Sequence, residues 1–153
     1  MTKYWLFKSE PETFGIDHLA KCKGQTEPWN GVRNYQVRNM LRDDIKEGDL
    51  GFFYHSNCTP PGIAGIVRVV KEGYGDDAAW DINSPYYDPK STPQNPRWYM
   101  VDVKLVERFK QLIPLQAIKQ NPALESMLIL RTGNRLSITP VSEKEWKAVL
   151  RMV

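Results

Sequence analysis

Three short stretches hold most of the groups that could do chemistry. They are "KSEP" (Lys8–Pro11), "WNGVRNY" (Trp29–Tyr35) and "YHSNCTPPG" (Tyr54–Gly62), each at the end of an expected strand or the start of an expected helix. Trp29 offers a flat stacking face. Ser9, Asn34, Ser56, Asn57 and the backbone around Pro61 and Gly62 can present donors and acceptors to the edge of a heterocycle. Lys8, Arg33 and Arg38 can place positive charge along a rim, and a helix starting near Asn34 adds the partial charge of its N-terminus. Gathered at one place, these groups make a concave pocket with an aromatic wall and a few aimed polar atoms. Such a pocket suits a nucleic-acid base. Stacking one base on an aromatic contributes about 1–3 kcal/mol, while extruding it from a duplex costs a few, so hydrogen bonds and phosphate contacts must supply the surplus.

Other chemistries fit less well. Lys8 and Glu10, two apart, would share a strand face and could act as an acid–base pair, which makes a metal-independent hydrolase of modified nucleosides the alternative reading. His55 and Ser56 are sequence neighbours and point to opposite faces of a strand, so they form no triad. His18, Cys22, His55 and Cys58 lack the spacing of a standard zinc knuckle, and no glycine-rich phosphate loop is present, so neither metal nor cofactor is expected. Plain structural readings compete at each position. Trp29 reads first as a core aromatic, Asn30-Gly31 as a turn, Pro60-Pro61-Gly62 as a hairpin connection, and Arg38 with Arg42 as a solvated helix face.

The elements that must position these groups follow from the pattern of the 153 residues. "KYWLFK" reads as a buried strand, and a short helix follows Pro11 to about Cys22. "KGQTEP" reads as a surface loop. From an Asn34 cap, Val37, Met40, Leu41 and Ile45 fall on one helical face, with Gly48 as the stop. "DLGFFYHS" and "IAGIVRVVKE" form an expected antiparallel strand pair. Gly73 to Pro96, with four prolines and four large aromatics, is a long loop of the kind that often carries function. In "RWYMVDVKLVERF", Tyr99, Val101, Val103 and Leu105 alternate toward the core. Helical segments are expected at Leu115–Lys119 and Ala123–Leu130, then a strand "RLSITPV". Ser142 and Glu145 form a capping box, with Val141 and Trp146 as a hydrophobic staple, for a last helix. Short strands interleaved with helices predict an α+β fold with a curled or barrel-like sheet in one domain.

A net charge of +3 is compatible with a polyanion partner if it is gathered on one face, and five Trp and seven Tyr exceed what a small core needs. The chain has no apolar run long enough for a membrane span and no leader pattern. Two cysteines make no disulfide framework, so a reducing cytoplasm, or the nucleus of a eukaryote, is the expected compartment. Oligomeric state is not legible.

The segments "YWLFKSEP", "WNGVRNYQVRNML", "GDLGFFYHSNCTPPGIAG", "YYDPKS", Arg97-Trp98 and "RLSITPV" closely resemble the EVE domain, in order across nearly the whole chain. That resemblance implies a PUA-like fold, a strongly bent and mostly antiparallel mixed β-barrel with peripheral helices, related to YTH and ASCH domains. It further implies a reader of nucleic acid, DNA or RNA, that takes a modified base such as methylated or hydroxymethylated cytosine. By similarity to YTH domains, Lys8 and Ser9 correspond to a strand-end Lys-Ser and Trp29 to a cage tryptophan. Later cage aromatics fall in the loop holding Trp80, Tyr86 and Tyr87, with Trp80 carried over. The expected site therefore comprises Ser9, Glu10, Trp29, Val32, Asn34, Tyr54, His55, Ser56, Asn57, Pro61, Gly62 and Trp80 around the base. Lys8, Arg33, Arg38 and Arg135 are expected at phosphates.

Overall fold

The run Tyr4–Ser9 forms strand β1, flanked on one side by β3 (Leu50–His55) in parallel and on the other by β6 (Ile138–Val141) in antiparallel register. The computed structural model describes residues 1–153. β3 turns back into β4 (Gly62–Gly75), which pairs antiparallel with β5 (Tyr99–Pro114), and β2 (Thr26–Pro28) completes the sheet in the order β2-β5-β4-β3-β1-β6. The sheet is mixed, as expected, and its two edges stay apart, so it curls without closing into a barrel. The bending has visible causes: register shifts interrupt the β3–β4 ladder at Phe53/Tyr54 and the β4–β5 ladder at four places. Each such irregularity bends a strand and increases its twist.

Both faces of the sheet are covered. Alternation sends Trp5, Phe7, Phe53, Val67, Val69, Val101 and Val103 into one apolar cluster, which also takes in Trp29 and Val37. It sends Leu6, Phe52, Tyr54, Ile63, Ile66 and Ile113 into a second cluster on the other face, completed by Ile118, Leu124 and Trp146. Strands buried on both faces explain why "DLGFFYHS" is apolar throughout rather than alternating.

The helices are α1 (Pro11–Phe14), α2 (Ile16–Lys21), α3 (Tyr35–Asn39), α4 (Leu115–Lys119) and α5 (Glu143–Leu150). Asn34 does cap α3, accepting a hydrogen bond from the Val37 N–H at 3.1 Å. The helix then differs from the expectation of a run to Gly48: it widens into a π-helical turn over Met40–Asp44 and ends at Ile45. Gly48, at φ +94°, sits in the following turn. "KGQTEP" is also more ordered than a loop, because Thr26–Pro28 pairs with Asp102–Lys104 as an edge strand, a position that tolerates Pro28. The expected Ala123–Leu130 helix is two 3₁₀ turns, Pro122–Leu124 and Leu128–Leu130. The capping box of α5 is present in both directions, with Ser142 Oγ 3.1 Å from Glu145 N and Glu145 Oε1 3.0 Å from Ser142 N. No helix is long and apolar enough to cross a membrane.

Trp146 anchors α5, stacked 4.0 Å from the ring of Phe52 and 4.6 Å from that of Tyr4. Truncating it opens a cavity in the second core. Trp146→Ala is therefore expected to cost about 3–5 kcal/mol, read as a lower urea midpoint with little change in slope.

Candidate base-binding cleft

The first two polar clusters meet where the C-terminal end of β1 passes β2 and the start of α3. They bound a cleft of about 390 Å³, lined by Lys8 and Ser9 from β1, Thr13 and Phe14 from α1, and Glu27 to Asn34 from β2 and the segment after it. Tyr86, Arg135 and Ser137 close it from two further loops. Its size lies at the lower end of the range for small-molecule pockets. A larger cleft of about 630 Å³ lies between the N-terminus, Met40 and Pro140, and contains none of the expected site residues.

Trp29 is both a core residue and a wall. Only 8% of its surface is exposed, and its ring meets Phe7 at 5.3 Å, Phe53 at 5.6 Å and Phe14 at 6.4 Å edge to face. Those contacts fix the indole plane before any ligand arrives. Val32, also buried, supplies apolar surface beside it. Ser9 Oγ donates to the Phe14 carbonyl at 2.6 Å, so toward the cleft it can only accept. Asn34 uses Oδ1 as the helix cap, leaving its NH₂ group as the part that can face a ligand. Burial lowers the Lys8 pKa. Burial raises that of Glu27, and the charge of nearby Asp102 adds to the rise.

Arg33 lines the cleft but is engaged within the protein. Its Nη1 donates to Asp76 Oδ2 at 3.0 Å and to its neighbour's carbonyl on Val32 at 2.9 Å, and its Nη2 donates to the Tyr86 carbonyl at 2.8 Å. Its guanidinium carbon sits 5.3 Å from the Tyr86 ring and 5.2 Å from the Trp98 ring. These bonds give Arg33 a structural role between the two segments. Asp76 is fully buried and also accepts from the backbone N–H groups of Gly31 at 2.8 Å and Ala78 at 2.9 Å. This clasp ties the Asn30-Gly31 turn to the long loop and brings Tyr86 onto the cleft. Gly31, at φ +78°, adopts a backbone conformation that favours glycine, and the absence of a Cβ lets the Tyr86 ring lie close against it.

The third cluster does not join the cleft. β3 does end beside β1, with His55 in register with Ser9, but none of Tyr54 to Gly62 lines the cleft. His55 Nε2 accepts the Ile16 N–H at 3.1 Å and the ring faces a separate cleft with Arg108 and Lys110. Tyr54 belongs to the opposite face of the sheet, where burial pushes its phenol up to about 12. Ser56 N–H donates to the Ser9 carbonyl, and Asn57, exposed at φ +52°, donates from its side chain to Glu10 Oε1 at 3.1 Å. Glu10 thus faces away from the cleft, and the Lys8–Glu10 acid–base pair is not assembled there. The Pro61 carbonyl receives the Leu115 N–H, and Gly62 is buried against Ile113 and Pro114. Trp80 packs over Gly75 and beside Pro96, with its indole N–H buried and unpartnered, so the loop aromatic on the cleft is Tyr86 instead. Arg38 donates to the Arg97 carbonyl at 2.8 Å and lies over Tyr35. His18, Cys22, His55 and Cys58 form no cluster capable of holding a metal ion. Glu27 and Thr13 were hidden from sequence reading, the former because its strand is only three residues long.

The pattern of the EVE domain family matches residues 3–152. The chain is 44% identical over 168 residues to human thymocyte nuclear protein 1, covering 99% of this chain and 74% of that protein. Among solved structures, a protein from Leishmania major is 47% identical with a TM-score of 0.91, covering 99% of this chain and 94% of that one. The structure of the human protein in complex with DNA containing 5-methylcytosine is 43% identical with a TM-score of 0.90, covering 99% and 97%. The bent mixed sheet with peripheral helices is thus the PUA-like architecture of these relatives.

Two outcomes follow from the geometry. Asp76→Ala leaves an arginine and two backbone N–H groups without their acceptor, and is expected to cost about 3–5 kcal/mol in urea unfolding. His55 is held neutral: burial lowers its pKa from 6.5, and Nε2 can accept from Ile16 only when deprotonated. Its contribution to stability is therefore complete above pH 6.5 and is lost as the pH falls below that value. The urea midpoint of the wild-type protein should fall more steeply on acidification than that of a His55→Gln variant.

Proposed function

The chain belongs to the EVE domain family, and we propose that it is a non-catalytic reader that takes a single modified base from DNA into the cleft beside Trp29. The observation that carries this is the placement of a rigidly held indole and a second aromatic, Tyr86, around a base-sized cleft with a few unpaired polar atoms. The human relative in complex with 5-methylcytosine-containing DNA supports the same partner for this chain. RNA carrying a modified base would meet the same cleft chemistry. In this reading the whole chain works as one domain, in the cytoplasm or, in a eukaryotic cell, the nucleus, where its partner resides.

The division of labour differs from the expectation built on sequence. Trp29 stacks on the base, while Ser9, Glu27 and the Asn34 amide meet its edge. A methyl group on the ring would lie against apolar surface such as Val32 or Phe14, contributing about 0.8 kcal/mol by burial. Lys8 and Arg135 remain as cations on the cleft for flanking phosphates, since Arg33 and Arg38 are engaged within the protein.

Trp29 also supports the core, so Tyr86, of which 41% is exposed, is the cleaner probe of stacking. Tyr86→Ala is expected to weaken binding of a 5-methylcytosine oligonucleotide by about 1–3 kcal/mol in fluorescence anisotropy. Arg135→Ala should weaken binding regardless of sequence and reduce the salt slope of log K by about one. Unchanged affinity in both variants would remove the cleft from consideration.

A further inference from the structure

The polar groups on the cleft differ in what they still have to offer. The Ser9 hydroxyl proton is already given to Phe14, which leaves lone pairs. Glu27 lines the same cleft as an acid that takes part in no ion pair; the salt bridges of the molecule lie elsewhere, that of Arg33 being made to Asp76. Beside one stacking ring these two acceptors call for a donor on the ligand edge, while the Asn34 NH₂ offers a donor to an acceptor on that edge.

Strand register fixes where Glu27 faces. It pairs with Val103, a member of the core cluster that contains Trp29, and the Trp29 N–H donates to the Val101 carbonyl at 2.7 Å. Glu27 and Trp29 are therefore two apart on one extended segment, on one face, about 7 Å apart along the chain. Pro28, between them, turns to the other face with Asp102. A planar ring seated against Trp29 has the Glu27 carboxyl group at one edge. Partial burial and the charge of Asp102 both work against an unpaired carboxylate there, and an N–H from the ligand would supply the missing partner.

Resting on the base-pocket reading above, we infer that Glu27 is a specificity residue that accepts a hydrogen bond from the exocyclic amine of the bound base, selecting 4-aminopyrimidines over 4-oxopyrimidines. Cytosine carries an N4 amino donor where thymine carries the O4 acceptor. Opposite Glu27 the oxo base sets two acceptors against each other. 5-Methylcytosine and thymine carry the same methyl group, so a cleft that sensed only the methyl would not separate them.

The test compares single-stranded oligonucleotides that carry one 5-methylcytosine or one thymine in an otherwise identical context. Anisotropy is measured with the wild-type protein and with Glu27→Gln, Glu27→Ala and Tyr86→Ala. A hydrogen bond to a charged acceptor corresponds to a wild-type preference for 5-methylcytosine of roughly 10–100-fold. Glu27→Gln, whose amide can donate to O4, is expected to bring the ratio to within about threefold, and Glu27→Ala should also lose the preference. Tyr86→Ala should weaken both oligonucleotides alike and keep the ratio. A wild-type ratio near one, or a ratio unchanged in Glu27→Gln while Tyr86→Ala weakens binding, overturns the role of Glu27 and leaves the cleft intact. Failure of the wild-type protein to bind either oligonucleotide, or no effect of Tyr86→Ala on either, overturns the base-pocket reading and this inference with it.

Discussion

The site depends on one buried carboxylate. Asp76 has no exposure to solvent, and it accepts from the backbone of Gly31, the guanidinium of Arg33 and the backbone of Ala78. An acid so placed is stable only when every lone pair that matters is met, and here the partners come from segments 43 or more residues away as well as from its own turn. Through Arg33 the same group reaches the Tyr86 carbonyl and the rings of Tyr86 and Trp98. The turn beside Trp29 and the long loop are thereby one mechanical unit.

A cleft built this way separates support from recognition. Trp29 is held by Phe7, Phe14 and Phe53 from three elements, so its plane costs nothing to orient when a ligand arrives. The groups left toward the cleft are few: Ser9 and Glu27 as acceptors, and the Asn34 NH₂, Lys8 and Arg135 as donors. Arg33 and Arg38, expected from the sequence at phosphates, each donate to a backbone carbonyl of a distant segment. The human relative in complex with 5-methylcytosine DNA shares this fold across nearly the whole chain.

The sheet explains why the third polar cluster lies elsewhere. β1 and β3 run in parallel, so their ends do arrive together, but the first N–H of α2 takes His55 as its acceptor and the His55 ring faces a separate cleft. Pleating then sends Tyr54 to the opposite core. Adjacency of strand ends says nothing about which side chains face one another, because each residue along a strand reverses the face.

Much was readable directly. The strand of Tyr4–Ser9, the β3–β4 hairpin, the alternation of Tyr99 to Leu105, the Asn34 cap and the capping box of α5 all follow from local rules of period and hydrogen bonding, and the blocks resembling the EVE domain carried the fold. What the sequence by itself determined is therefore most of the strands, the helix caps and the grouping of polar and aromatic residues at element ends. The tertiary structure alone decided which arginine pairs with Asp76, that Tyr86 rather than Trp80 reaches the cleft, and that a three-residue edge strand turns Glu27 toward it. Each of these depends on contacts between residues far apart in the chain, and such contacts leave no periodic mark on the sequence. They are settled by the twist and register of a bent sheet.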